Sequence, residues 1–178
     1  MPDNDKAITN RWLDQIPELD RGRRFPSLAP DQSRKLFDEM LAAGDDEITG
    51  IVDTLRDVDD GKDWKARFVL GALASYVGAP DRKADQKKLE QVYAKALQAD
   101  RPAGVKTFVA MQLQWFGTAS SVQALADQLS SKDRQLVDAS AASLCAIGKP
   151  AIAGLKAARE KVDEDARAVI DHALAQIL

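Results

Sequence analysis

The chain has 178 residues, of which 45% are apolar, 6% aromatic and 30% charged, with a formal charge of −3. That length suffices for one domain with its own core, and the composition excludes a disordered chain. The acidic balance argues against nucleic acid as a partner, the single cysteine (Cys145) excludes an internal disulfide framework, and no apolar run reaches the roughly 18–20 residues of a membrane span.

The start, Met1-Pro2-Asp3-Asn4-Asp5-Lys6, has no apolar signal segment, so the expectation is a soluble protein, cytoplasmic by default. From there apolar residues recur at the 3/4 spacing of helices. The first predicted helix is 4–16. Pro17, Pro26 and Pro30 then break the connection. Residues 1–30 are therefore read as a helix with a proline-rich connection, a candidate cap, and 31–178 as the main domain.

Helix 31–43 is followed by 46–58, with the stripe Ile48, Ile51, Val52, Leu55 and Val58, and by 63–77, with Ala66, Val69, Leu70, Leu73 and Val77. Leu89, Val92, Tyr93 and Ala96 mark a helix at 85–98. Val105, Phe108, Val109, Leu113 and Phe116 mark one at 102–116, and Val122, Leu125, Ala126 and Leu129 one at 119–130. Val137, Ala141, Leu144 and Ile147 give 134–147; Ile152, Leu155 and Ala158 give 150–161. Ala166, Val169, Ile170, Ala173, Leu174 and Ile177 close the series at 164–177. No alternating run suggests a strand, so the fold class is all-α.

The punctuation fits these helices. Gly44, Gly78, Gly117 and Gly148 each follow a stripe, where a left-handed C-terminal cap favours glycine. Asp31, Asp63, Asp100 and Asp133 precede stripes, where a short carboxylate accepts orphan backbone N–H bonds. Pro102 and Pro150 fall at first-turn positions, and Thr118 with Ser121 marks a further start. The capping glycines lie 34, 39 and 31 residues apart. Asp63 to Gly78, Asp133 to Gly148 and Asp163 to Leu178 each span 15 residues. Two helices per period of about 30–40 residues describe stacked hairpins, each burying its apolar face against its neighbours.

The stretch 133–155, DRQLVDASAASLCAIGKPAIAGL, resembles a HEAT repeat of the short bacterial type, similar to the repeats of phycobilisome-lyase-like proteins. It opens with Asp133, runs through an Ala/Leu-rich helix to Ile147-Gly148, and continues into a second helix. Ala66-Arg67 and Ala166-Arg167 match the apolar-Arg pair of such repeats, whereas Val137 stands where the Arg would be. The resemblance covers about residues 63–178, is weaker over 31–60 and is absent before Pro30. It implies a right-handed α-α superhelix of HEAT-like hairpins that serves as an adaptor or partner-binding surface. The series ends on the first helix of a repeat. Either Ile170, Leu174 and Ile177 are covered by the preceding hairpin or further domains of a longer chain belong there.

Several clusters invite chemistry. The run 57–63, rich in aspartate, suggests calcium, but starting from Asp57 puts Gly61 at position 5, where a calcium loop needs an oxygen ligand, so the register fails. Cys145 and His172 fall at similar phases of successive repeats, and a Cys–His pair activates a thiolate; yet Cys145 sits in an Ala-rich helix, the setting of an inert thiol. No second His or Cys supports zinc, and no metal or cofactor is expected. Arg21, Arg23 and Arg24, followed by Phe25, form one basic cluster. Arg82 with Lys83, Lys87 and Lys88 forms another, at a hairpin turn and helix start. Trp12, Trp64 and Trp115 are either repeat-junction core or, where exposed, binding anchors; of the adjacent pair Trp115-Phe116, both rings cannot point one way.

The function this favours is a non-catalytic protein-interaction scaffold that takes a protein or peptide. Its surface would be the outward row of the second helices, Gln91 and Lys95, Gln123 and Asp127, Lys156 and Glu160, with Trp115 as a further anchor. The row mixes signs and amides, which suits a peptide better than a polyanion. The rivals on the same architecture are a DNA-glycosylase-like enzyme with a basic groove, a lyase-like chaperone acting on a tetrapyrrole, and a spacer between domains.

Overall fold

The computed structural model describes residues 10–19, 28–58 and 60–178. Among these it contains no strand and nine α-helices: α1 (Pro30–Ala43), α2 (Asp45–Val52), α3 (Trp64–Val77), α4 (Lys83–Gln98), α5 (Ala103–Phe116), α6 (Val122–Ala126), α7 (Arg134–Ile147), α8 (Ile152–Arg159) and α9 (Glu164–Ile177). The protein is all-α, and none of these helices is long and apolar enough to cross a membrane.

The helices alternate between two rows. α3 packs on α5, α5 on α7 and α7 on α9, while α2, α4, α6 and α8 form the same succession beside them. Both rows contribute fully buried side chains, among them Leu70, Leu73 and Leu113 of the odd row and Leu89, Leu97 and Leu125 of the even row. Tyr93 is fully buried, its hydroxyl donating to the Leu70 carbonyl at 2.9 Å and its ring meeting Phe116 edge-on at 5.6 Å. Burial pushes its phenol pKa up. α5 and α7 approach closely because α7 presents Ala139 and Ser143, and Ser143 Oγ donates to the Ala110 carbonyl at 2.6 Å.

Two polar devices fix the connections. Glu90 of α4, 2% exposed, accepts from the backbone N–H of Thr118 at 2.7 Å and from its hydroxyl at 2.9 Å. One turn earlier, Gln86 Nε2 donates to the Phe116 carbonyl at 2.6 Å. Together they hold the turn between α5 and α6. On the other side, the predicted helix 46–58 stops at Val52. Thr54 donates its hydroxyl to the Ile51 carbonyl, and Asp63 takes the Arg56 N–H at 2.8 Å, so side-chain oxygens replace the helical ladder. Asp63 consequently does not cap α3 as its position suggests.

The other caps divide in the same way. Asp133 and Asp163 accept from Leu136 and Ala166 at 3.0 and 2.9 Å, as capping aspartates do. Asp31 lies inside α1, and Pro102 rather than Asp100 precedes α5. Gly44 and Gly148 have positive φ, 109° and 77°, but Gly78 and Gly117 do not. Gly117 is small for a different reason: a Cβ there would sit 2.6 Å from the Leu113 carbonyl oxygen. The predicted helix 119–130 divides into 3-10 turns, Ala119–Ser121 and Asp127–Ser130, around the five residues of α6.

Of the predicted helix 4–16, residues 4–9 lie outside the described residues. The remainder forms a single 3-10 turn, Leu13–Gln15, packed on α3 with Trp12, Leu13 and Ile16 buried. Trp12 Nε1 donates to Glu47 of α2 at 2.8 Å, and Glu18 pairs with Lys65. At the other end Ile170 and Leu174 are buried and Ile177 is partly buried by the preceding helices. Arg159 of α8 closes over α9 through Asp171 at 2.6 Å.

Candidate functional site: an aromatic groove between α3 and α5

A groove of about 740 Å³ lies on the outer side of the odd-numbered row. α3 contributes Trp64, Phe68 and Ala72, one turn apart, and α5 contributes Phe108 and Met111; Gly71 and Gly104 keep the floor low. The inner stripes of the same helices, Val69, Leu73, Val109 and Leu113, are buried in the core. α3 and α5 are therefore apolar on two sides. The second stripe of α5 runs past the groove to Trp115, which is 71% exposed, while Met111 is 48% exposed.

Two charged side chains line the groove, and both are compensated within the chain. Asp57 Oδ1 accepts the Gly104 N–H at 2.8 Å, at the first turn of α5. A Cβ at Gly104 would fall 1.8 Å from the Asp57 carbonyl oxygen, so the glycine is what lets α5 begin this close to the loop. Arg67 Nε bonds Asp63 at 2.9 and 3.0 Å, its Nη2 bonds the Arg56 carbonyl at 3.0 Å, and its guanidinium lies 5.1 Å from the centre of the Phe108 ring. The groove offers a ligand aromatic and thioether surface, with the amide of Gln135 and the hydroxyl of Ser75 at its edges. Its lining residues assemble no nucleophile with a base.

The residues singled out from the sequence fall on both rows. Gln91 and Lys95 on α4, Gln123 on α6, Asp127 in the turn after it, and Lys156 and Glu160 at α8 are all exposed, on the even-numbered row. Gln123 donates to Asp127 at 2.7 Å, and Glu160 lies 3.7 Å from Arg159. Lys95 borders a small cleft of about 280 Å³ with Asp45, Asp46 and Arg101. That row is mixed in sign. Trp115 projects from the opposite row. Trp12 is core, and Trp64 lines the groove.

Cys145 and His172 do come near one another on α7 and α9, but Gln176 stands between them. The Cys145 Sγ lies 3.0 Å from Gln176 Oε1, and Gln176 Nε2 lies 2.8 Å from His172 Nε2. The thiol donates to the amide oxygen and the amide donates to the ring, so no thiolate–imidazole contact forms. In the run 57–63, Asp57 and Asp63 hold the Gly104 and Arg56 N–H groups, and Asp60 accepts from the Lys62 N–H at 3.1 Å. The Lys62 N–H and the nearby Arg56 hold the Asp60 carboxyl below the usual carboxylate range against a smaller push from desolvation. Among the described residues no three metal-ligating side chains converge.

The basic cluster Arg21, Arg23 and Arg24, with Phe25, lies outside the described residues. In the second cluster, Lys83, Lys87 and Lys88 are exposed on α4, but Arg82 turns away. It stacks 3.8 Å over the Tyr76 ring and pairs with Asp38 of α1 at 2.8 Å and with Asp85 at 3.1 Å. Tyr76 also donates to Asp38 at 2.9 Å and its ring packs on Phe37. Desolvation pushes the Asp38 carboxyl up, but the hydrogen bonds from Tyr76 and Arg82 outweigh it and hold it below the usual carboxylate range. This clasp ties α1 to α3 and to the start of α4.

The sequence does not point to Phe68, Phe108 and Met111 as surface residues. The available signal was that α3 and α5 carry more apolar positions than one buried stripe uses. No family model matches the chain, and no curated protein matches it.

Proposed function

We propose that this chain is a HEAT-like helical-repeat scaffold, a right-handed α-α superhelix of hairpins, that holds a protein partner in the groove between α3 and α5 and catalyses no reaction. The observation that carries this reading is the continuity of the groove with Met111 and Trp115, 48% and 71% exposed. Folding does not require bulky apolar side chains there, and a contiguous apolar patch of this kind on a folded domain marks an interaction site. Trp, when desolvated at the centre of an interface, is among the strongest anchors, and its truncation costs about 2 kcal/mol or more. The alternation of two rows and the 30-residue spacing of the capping Asp133 and Asp163 support the repeat architecture. The compensation of Asp57 and Arg67 favours a partner that presents apolar side chains rather than phosphate.

A photo-crosslinking amino acid placed at Phe68 in one variant and at Lys156 in another, expressed in the source cells, tests the reading. Protein adducts from position 68 and none from 156 are expected. Adducts from 156 alone would move the surface to the even-numbered row, and adducts from neither would defeat the scaffold reading.

A further inference from the structure

We infer that residues 10–19 form a strap that opens independently of the helical stack and, while docked, fixes the Trp64 end of the groove. The inference rests on the reading of that groove as the recognition site and adds its regulation. The first support is how the strap is attached. Its backbone bonds close on the strap itself. The Asp14 N–H donates to the Asn10 carbonyl at 2.9 Å, the Ile16 N–H to the Leu13 carbonyl at 3.1 Å, and the Trp12 N–H to the Asn10 side chain at 3.0 Å. Among the described residues no backbone hydrogen bond joins residues 10–19 to a helix. Lifting the strap therefore leaves no buried backbone group of the stack without a partner, the cost that keeps a strand in its sheet. The remaining attachment is by side chains. Trp12, Leu13 and Ile16 are buried, Trp12 Nε1 donates to Glu47 at 2.8 Å, Arg11 pairs with the same carboxylate at 2.8 Å, and Glu18 pairs with Lys65. Ion pairs at a surface contribute little. The burial of three apolar side chains is opposed by the freedom that the whole segment loses on docking, which is of the same order. A segment balanced in this way opens locally, at a lower free energy than global unfolding.

The second support is where the strap leads. Its 3-10 turn packs on α3, and Glu18 holds Lys65, which follows Trp64 in the first turn of that helix. Lys65 Nζ lies 5.8 Å from the centre of the Trp64 ring, within the range of a cation–π attraction, and Trp64 lines the groove. The docked strap thus keeps a cation beside the aromatic ring that forms one end of the groove. The opened strap returns Lys65 to water and removes that restraint on the ring. Trp115, at the other end of α5, has no such tie to residues 10–19.

The chain contains three tryptophans, Trp12, Trp64 and Trp115. Fluorotryptophan labelling of the full chain therefore places one fluorine resonance on the strap, one at the groove and one at the far end of α5. In a urea titration the Trp12 resonance is expected to reach its unfolded position at lower urea than that of Trp115. In native buffer Trp12→Ala should shift the Trp64 resonance and leave that of Trp115 in place. Glu18→Gln keeps the buried side chains and removes only the charge that faces Lys65; it should shift Trp64 the same way by a smaller amount. A single urea midpoint for Trp12 and Trp115 overturns the independent opening. A Trp64 resonance unmoved by both substitutions, or moved no more than that of Trp115, overturns the coupling to the groove. Adducts from position 68 alongside an unmoved Trp64 would remove the strap and leave the scaffold reading standing.

Discussion

The odd and even rows of helices bury equivalent inner faces but meet solvent on different terms. On α4 and α8 the outer positions are Gln91, Lys95, Lys156 and Glu160, as for any amphipathic helix at a surface. On α3 and α5 the outer positions are Trp64, Phe68, Phe108, Met111 and Trp115. A helix in a two-row stack needs one apolar stripe to reach the core. A second stripe contributes little to folding where it stays open, so its presence on α3 and α5 is not explained by the stability of the core.

The largest expected effect distinguishes the two stripes of α5 directly. Leu113→Ala removes a fully buried side chain and should cost about 2–5 kcal/mol in urea unfolding. Met111→Ala, on the outer stripe two residues away, should fall within about 0.5 kcal/mol of the wild type. Equal losses would mean that the outer stripe belongs to the core and the groove is not open.

A smaller effect probes how the even row supports the groove. Glu90→Ala leaves the Thr118 N–H without its buried acceptor and should destabilise by about 1–3 kcal/mol. Because Glu90 holds the turn directly after α5, the same variant should alter the exposure of the neighbouring Trp115, readable as a shift in tryptophan emission. An unchanged spectrum would show that Trp115 is positioned by α5 alone.

The smallest effect concerns the edge of the odd row. The Asp38 carboxyl titrates lower in the folded protein than in the unfolded chain. Its contribution to stability is therefore fully present above about pH 4, the unfolded value, and is lost as pH falls through the folded one. The side chain is 47% exposed, so after solvent screening the contribution is below about 1 kcal/mol. Thermal melts of the wild type and Asp38→Asn should differ slightly at neutral pH and converge in acid. A difference that persists unchanged into acid would assign the role of Asp38 to packing rather than charge.

How far the sequence could be read differs from element to element. α1, α3, α7 and α9 begin and end within a residue of the positions that apolar spacing predicts. The helix predicted at 46–58 is shorter because the carboxylate of Asp63, seven residues beyond Arg56, takes a backbone N–H. Spacing within one helix carries no information about that contact. Gly78 and Gly117 read like Gly44 and Gly148 in the sequence, yet only the latter pair adopts positive φ. The outward row of the even helices was legible, since exposure there follows from helical phase. The groove was not, because the same apolar letters serve a buried and an open stripe, and periodicity alone does not say which side a neighbouring helix will cover.

The sequence by itself determined the all-helical class, the succession of most helices and most of each inner stripe, because those follow from local spacing. Of the residues it placed in such stripes, Val58 is 68% exposed and Phe108 lines the groove. Only the tertiary structure decided that the outer sides of α3 and α5 stay open, that Gln176 separates Cys145 from His172, and that Asp57 and Arg67 are hydrogen-bonded within the chain at the groove. Each of these depends on which helices lie side by side. That arrangement is fixed by packing between residues some 30 to 50 positions apart, such as Asp57 with Gly104 and Cys145 with Gln176, and not by the local pattern around either one.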